Sequence, residues 1–460
     1  MTSAPRSLWH DTLPDGDLAR RRPALPGPTE VDVAVVGGGF TGLWTAYYLA
    51  QRDPTLRIVV LEREFAGFGA SGRNGGWLSN LLPLSWETVA AASSREAAVA
   101  WQRCADATVD EVLRVAAAEG IDAEAAAGGY LCLATTEVQA GRLRAAVARS
   151  AEWGFGEEDL RWLSRAEARA RVAADGVFGA TYSPHCAAVH PARLVRGLAA
   201  AVERRGVTVH EGTPVTEIAP HVARTPFGDV RARVVVRALE GYTRSLRGHR
   251  RTLLPLYSLM LATEPLPDDF WAEVGWAGRE TLNDDRRLII YAQRTRDGRI
   301  AIGGRGAPYR FGSRIAPSFE RAGGVHDAIR RSLLELFPQL ADARITHRWG
   351  GALGVPRDWW PSVGFEARSG LAHAGGYAGD GVAMTNLAAR TLADLITGTD
   401  SELVRLPFVG HRSPGFEPEP LRWLGVNAGL WLAALIDDRE RRTGRPAALL
   451  DRAMIRLTGH

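Results

Sequence analysis

The sequence predicts an α/β fold: a discontinuous Rossmann-type dinucleotide-binding domain with an inserted, mostly antiparallel β-sheet domain. Three observations predict it. A strand, glycine turn, helix and second strand follow one another from Val31. A second strand–glycine turn–helix unit covers Leu371 to Gly398. Between them lie strand-like runs bounded by turn residues.

"VDVAVVGGGFTGLWTAYYLAQRDPTLRIVVLERE" begins at Val31. Residues 31–36 are β-branched or small and apolar apart from Asp32, which reads as a buried strand. Gly37, Gly39 and Gly42 follow with the spacing G-x-G-x-x-G. Thr41 to Gln51 has the apolar spacing of a helix. "RIVVLERE" reads as a second buried strand and carries Glu62, twenty residues after Gly42. In this context Gly37 permits a tight turn, Gly39 admits a pyrophosphate and Gly42 lets helix and strand pack closely. The helix N-terminus offers free N–H groups to phosphate, and Glu62 can accept from a ribose diol. The fingerprint alone leaves NAD and FAD open.

"FAGFGASGRNGGW", Phe65 to Trp77, is almost all small residues. It leaves the sheet edge on which the ADP half would lie. One reading is a surface linker. The other is backbone running beside a large flat ligand, with Ser71, Arg73 and Asn74 donating to it. Side chains at Gly69, Gly72, Gly75 and Gly76 would then collide with cofactor or force strained φ/ψ. "LAHAGGYAGDGVAMTNLAARTLADLITG" repeats the strand–turn–helix pattern, with a helix from about Val382 to Ile396. Its turn can stabilise negative charge developing on a reduced ring. A simple NAD enzyme has no need of this second loop.

Composition narrows the function classes. The 460 residues are 46% hydrophobic and 23% charged, with a formal net charge of +4. That balance argues against a nucleic-acid partner. All 56 basic residues are arginine, so no lysine can act as Schiff base or catalytic amine. Cys104, Cys132 and Cys186 are odd in number and far apart, which argues against a disulfide framework. "HCAAVHP", with His185, Cys186 and His190, has too few ligands at the wrong spacing for a metal, and none is expected. The N-terminus lacks a leader's apolar core, and no window reaches the length of a membrane span, so a cytoplasmic protein without membrane partner is expected.

Taken together, "VVGGGFTGL", "VVLERE", "GASGRNGGW", "HPARLVRGLAAAVERRGVTVHEGTPVTEI" and "GGYAGDGVAMTNLAARTLADLITG" resemble the FAD-dependent oxidoreductases of the D-amino-acid oxidase superfamily. "SLWHDTL" and "GASGRNGG" resemble its gamma-glutamylputrescine oxidase-like amine oxidase group. The resemblance implies FAD contacts from Gly37, Gly39, Phe40, Thr41, Gly42, Glu62 and Arg63. It implies more from Gly69, Ala70, Ser71, Arg73, Asn74, Gly75 and Gly76, from the main chain of Val215, and from Gly376, Gly379, Asp380, Gly381 and Val382. It also implies an FAD-binding domain from 30–95, 185–250 and 345–400. A substrate-binding domain comes from 96–184 and 251–344, and a tail from 401–460 packs on the body or a partner subunit. "RRLIIYAQRTRDGRIAIGGRG" supplies two of the inserted strands around a turn at Asp297–Gly298.

The resemblance further implies oxidation of an amine C–N bond by hydride transfer to flavin N5. The products are an imine and then a carbonyl, with dioxygen as acceptor and hydrogen peroxide released. Cysteine and histidine are missing where relatives link flavin covalently, so FAD is expected to be non-covalent. "GVAMTN" stands where the sarcosine-oxidase branch keeps a carboxylate-binding lysine. A small α-amino acid substrate is therefore disfavoured unless an arginine such as Arg305 takes that role. Trp77, Tyr257, Tyr309 and Trp349 are further pocket candidates, each with core packing as the competing reading. Two alternatives stay open: a flavin enzyme of specialised metabolism acting on a non-amine, and a non-catalytic dinucleotide-binding scaffold.

Overall fold

The computed structural model describes residues 7–304 and 306–458. Two eight-stranded sheets organise the chain. In the first, Thr29–Val36 is central and pairs in parallel with Ile58–Leu61 and Gly228–Arg237. Thr208–His210 extends one edge in parallel; Leu371–Gly375 and the antiparallel Ser362–Glu366 extend the other. Helices Phe40–Arg52, Pro191–Arg204 and Gly381–Thr397 bury their apolar faces in the core of this unit. Strand burial on both faces explains the near-continuous Val/Ile runs.

The second sheet runs Ile345–Val355, Leu254–Thr263, Ile300–Gly304, Ile290–Arg294, Thr281–Asp284, Tyr130–Ala134, Gly179–Ser183, Arg161–Ser164. Every neighbouring pair is antiparallel except Thr281–Asp284 with Tyr130–Ala134. The strands on either side of Asp297–Gly298 form the expected hairpin, with Gly298 at φ +74°.

Two segments lie elsewhere than their sequence position suggested. Helix Arg95–Ala118, expected to open the inserted domain, packs Trp101, Ala105 and Val109 into the core of the first sheet. Its apolar residues recur every three or four positions and so face one way. Strand Ile345–Val355, expected in the dinucleotide unit, pairs with Leu254–Thr263 in the second sheet. Its partner is set by tertiary pairing and leaves no local mark. In the tail, helix Leu421–Thr443 packs on the body, burying Ala433 and Ile436. Asp437 accepts from the main-chain N–H groups of Arg287 and Leu288. No helix among the described residues is long and apolar enough to cross a membrane.

Candidate active site

The first glycine turn is fixed by close approach. Gly37 has φ +113°, and a Cβ there would lie 2.4 Å from the Ala238 carbonyl oxygen. A Cβ on Gly42 would lie 2.0 Å from the Gly37 carbonyl oxygen, so only glycine lets this helix pack on its strand. The Phe40 N–H at the helix start donates to Ser71 Oγ at 2.9 Å. Ser71, from the second small-residue stretch, thus sits at the positive end of the first helix and keeps its own hydroxyl proton to donate. Glu62 accepts from the Gly38 and Glu64 N–H groups, both at 2.8 Å. Burial raises its carboxyl to about 7, against the pull of those two hydrogen bonds.

"GASGRNGGW" lines the site, but most of its glycines answer to protein neighbours. A Cβ on Gly72 would meet the Gly67 carbonyl oxygen at 2.1 Å, and one on Gly75 would meet the Tyr291 ring at 2.7 Å. Gly76, at φ +69°, would meet Gln293 Nε2 at 2.0 Å, whereas Gly69 comes no closer than 3.3 Å to Tyr242. The expectation of strained φ holds at Gly76. Gly72 and Gly75 answer to protein neighbours, and Gly69 is left facing a cavity. Arg73 is buried, and its Nη1 donates to both Glu320 oxygens at 2.8 and 2.9 Å. Asn74 Nδ2 donates to the Ala70 and Ser71 carbonyls, and its Oδ1 accepts from the Gly76 N–H. Both side chains hold the loop in shape, a role that reading them as ligand donors had missed.

The third glycine loop has the same logic as the first. Gly376 (φ +83°) and Gly379 (φ +117°) make the turn, and the helix starts at Gly381. Gly376 and Tyr377 donate their N–H groups to Glu240 at 2.9 and 3.3 Å. Burial lifts Glu240 to about 7.

These three loops border two cavities. One, of about 610 Å³, runs past Gly37, Gly39, Phe40, Thr41, Glu62, Arg63, Gly69 to Ser71, Val215, Tyr242, Arg244, Gly379, Gly381 and Val382. The other, a chamber of about 730 Å³, is lined by Trp77, Tyr257, Ser258, Asn283, Tyr291, Asp380 and many leucines. Ala70, Arg73, Asn74, Leu353, Gly379 and Val382 border both. The first cavity offers an elongated ligand an acid at one end and a helix N-terminus at its middle. Arg73 and Arg244 line it, each with an Nε that has no hydrogen-bond partner among the described residues. That donor set fits the ribose and pyrophosphate of a dinucleotide, with the ring system at the junction.

The remaining candidates divide. Trp77 lines the chamber and donates from Nε1 to the Ala292 carbonyl at 3.2 Å. Tyr257 lines it too and bonds the main chain of Ala316. Trp349 does not line it: the ring is fully buried against Trp9, and Nε1 donates to the Arg73 carbonyl at 2.9 Å. Tyr309 is also core, its hydroxyl bonded to Ser313 and Glu419. For these two aromatics, packing was the correct reading. Arg305 lies outside the described residues. Cys186 Sγ is 3.2 Å from Thr281 Oγ1, and His190 caps the helix Pro191–Arg204. His185 approaches Asp159 and Asp106 closely enough for a metal, but Asp159 already binds Arg103.

Sequence reasoning missed Tyr242, Arg244, Glu320, Asn283 and the Ser258–Tyr291 hydroxyl pair, 2.5 Å apart. No local motif marks them. It also missed that helix Leu421–Thr443 roofs the chamber with Leu421, Gly425, Val426, Gly429 and Leu430. Their spacing puts them on one helical face, which is a usable signal only once an empty face is known to need covering.

A Rossmann unit whose glycine turns line one cavity, with a chamber of the second sheet sharing its walls, fits a nucleotide-cofactor oxidoreductase. Residues 32–395 match the family described as FAD dependent oxidoreductase (DAO), and the chain belongs to that family. It is 31% identical over 399 residues to gamma-glutamylputrescine oxidoreductase of Escherichia coli, covering 83% of this chain and 88% of that one. Glycine oxidase of Geobacillus kaustophilus is 28% identical over 401 residues, 82% of this chain and 96% of its own. The solved structure of a glycine oxidase from Geobacillus kaustophilus superposes with a TM-score of 0.70 at 24% identity, over 84% of this chain and 100% of that one. An L-proline dehydrogenase from P. horikoshii superposes at 0.67 with 19% identity, over 82% and 96%. The fold is therefore that of these flavoenzymes, and FAD is the cofactor.

Proposed function

We propose that this FAD-dependent oxidoreductase oxidises the C–N bond of an amine and passes the electrons to dioxygen. The observation that carries the reading is the junction at Ala70, Asn74, Leu353 and Gly379, where chamber and dinucleotide cavity share walls. Bound FAD supplies a two-electron acceptor, through N5, for a hydride from the carbon bearing the nitrogen. The chain's own part is to hold that carbon at the junction and to exclude water. Asn283 lines the chamber and contributes a side-chain amide to its wall. The Ser258–Tyr291 pair can accept from an amine N–H or relay a proton. The gamma-glutamylputrescine oxidoreductase relative supports an amine as donor. Neither cavity is lined by cysteine or histidine among the described residues, which supports non-covalent FAD. Gly37, Gly39, Ser71, Glu62, Val215 and the loop Gly376–Val382 would hold it. The helix start at Gly381 would face the ring's developing charge.

The test is aerobic turnover on a panel of polyamines, N-alkyl amines and amino acids. Oxygen consumed, peroxide formed and carbonyl product should appear in equal amounts. Turnover that needs an artificial acceptor would retain amine oxidation but refute dioxygen as partner. No turnover of any amine with either acceptor would refute the reading.

A further inference from the structure

Resting on that reading, we propose that the substrate is an amine with a bulky apolar body and no carboxylate beside its nitrogen, received under the C-terminal helix. Three observations converge. The chamber's 730 Å³ lies beyond the cavity that suits the dinucleotide and falls among pockets that enclose a drug-sized molecule. A two-carbon amino acid would leave most of it to water against leucine. Its walls are aliphatic and aromatic: Leu81, Leu254, Leu288, Ile289, Phe416 and Leu430.

Among the described residues, each arginine on the chamber wall has a carboxylate partner. Arg73 pairs with Glu320 at 2.8 Å, Arg287 with Asp451 at 2.9 Å, Arg357 with Glu417 at 3.0 Å and Arg422 with Glu419 at 3.0 Å. A substrate carboxylate would have to compete with Glu320 or Glu419 for a buried cation that is already neutralised. A neutral amine needs only acceptors, which the Ser258–Tyr291 hydroxyl pair provides.

The roof itself sets the size. Helices Leu421–Thr443 and Ala448–Thr458 lie beyond residues 32–395, the stretch shared with the family. Gly425 faces the chamber, and a Cβ there would meet nothing within 4 Å. A large side chain at this point on the chamber's roof has room to stand, and replacing a helical glycine favours the helix itself.

The experiment compares tryptamine, tryptophan, ethylamine and alanine with wild type and Gly425→Trp. A calorimetric titration with 3-ethylindole, which keeps the apolar body and has no amine to oxidise, reads binding of that body alone. Wild type should show kcat/KM for tryptamine at least tenfold above that for each of the other three. Gly425→Trp should lower it tenfold through KM and weaken 3-ethylindole equally, with FAD content and melting temperature unchanged. Preference for tryptophan over tryptamine overturns the inference, most directly if Arg305→Ala removes that preference. So does preference for ethylamine or alanine, or unchanged affinity in Gly425→Trp. Those results leave amine oxidation standing. Failure of every amine, small or large, removes both.

Discussion

The dinucleotide cavity and the chamber share a wall but are built by opposite means. The first is main chain: glycine turns at Gly37 and Gly379 with φ of +113° and +117°, and helix starts at Phe40 and Gly381. The second is side chain, contributed by strands of the inserted sheet, by the loop after Trp77 and by the C-terminal roof. A main-chain site tolerates almost no change at a few positions, because backbone geometry there admits one residue type. A side-chain site tolerates much change in stability but turns that change into altered specificity. The comparison can be attacked from both sides.

Breaking the main-chain site should have the largest effect. Gly42→Val places Cβ against the Gly37 carbonyl oxygen at 2.0 Å, with no flexible side chain to yield. It should cost about 5 kcal/mol or more and leave no soluble yellow protein, judged by denaturant titration and visible absorbance. An ordinary melting temperature with bound FAD would show that the turn relaxes.

Next comes the Arg73–Glu320 pair, buried at the junction. Arg73→Ala strands Glu320, whose carboxyl burial already pushes upward against the pull of Arg73. A loss of about 3–5 kcal/mol is expected in chemical denaturation. Arg73→Met with Glu320→Met together should recover most of it, yet FAD content should stay low because Arg73 Nε is gone from the cavity wall. Recovery of full FAD content in the double variant would assign the pair to stability alone.

Glu62 gives a smaller effect with a defined sign. Its carboxyl is raised to about 7 by burial. In the cofactor-free protein it therefore holds its proton across the range where an unfolded chain has lost it. Its contribution to stability is full below the ordinary carboxylate range and is lost as pH rises through about 7. Ribose hydroxyls donate best to the ionised form, so FAD binding must release that proton below pH 7. Affinity should rise with pH by up to about tenfold per unit below that point and then flatten. Glu62→Gln should bind about tenfold more weakly with this slope removed. Fluorescence titration of the apoprotein between pH 5.5 and 8.5 reads both. An unchanged slope would move the titrating group to Glu240, also raised to about 7.

The smallest effect is expected in the support layer. Trp349→Phe removes the bond to the Arg73 carbonyl at 2.9 Å and should cost about 1 kcal/mol. FAD retention should fall slightly and kcat for the best amine should hold. A change in kcat would put Trp349 closer to the chemistry than its burial allows.

The same contrast explains what was legible in the sequence. Gly37, Gly39, Gly42 and Glu62 were readable because a βαβ turn needs those types at that spacing. Gly376 to Val382 were readable because the pattern recurs. Arg73 was readable as important but not as an ion pair, since Glu320 lies 247 residues away. Trp349 and Tyr309 could not be told from pocket aromatics, because a buried aromatic has the same sequence signature wherever it points. Asn283, Ser258, Tyr291 and the roof at Gly425 meet only through tertiary packing. Strand Ile345–Val355 was assigned to the wrong sheet because its partner, Leu254–Thr263, is set by tertiary pairing and leaves no local mark.

The central claim is that one continuous site brings an amine to non-covalent FAD, and an anaerobic titration of the purified yellow protein tests it most directly. One equivalent of the best amine per FAD should bleach the flavin completely and yield one equivalent of carbonyl. Acid precipitation should then leave all of the FAD in the supernatant. Flavin that stays oxidised with every amine, or colour that stays in the washed pellet, would contradict it.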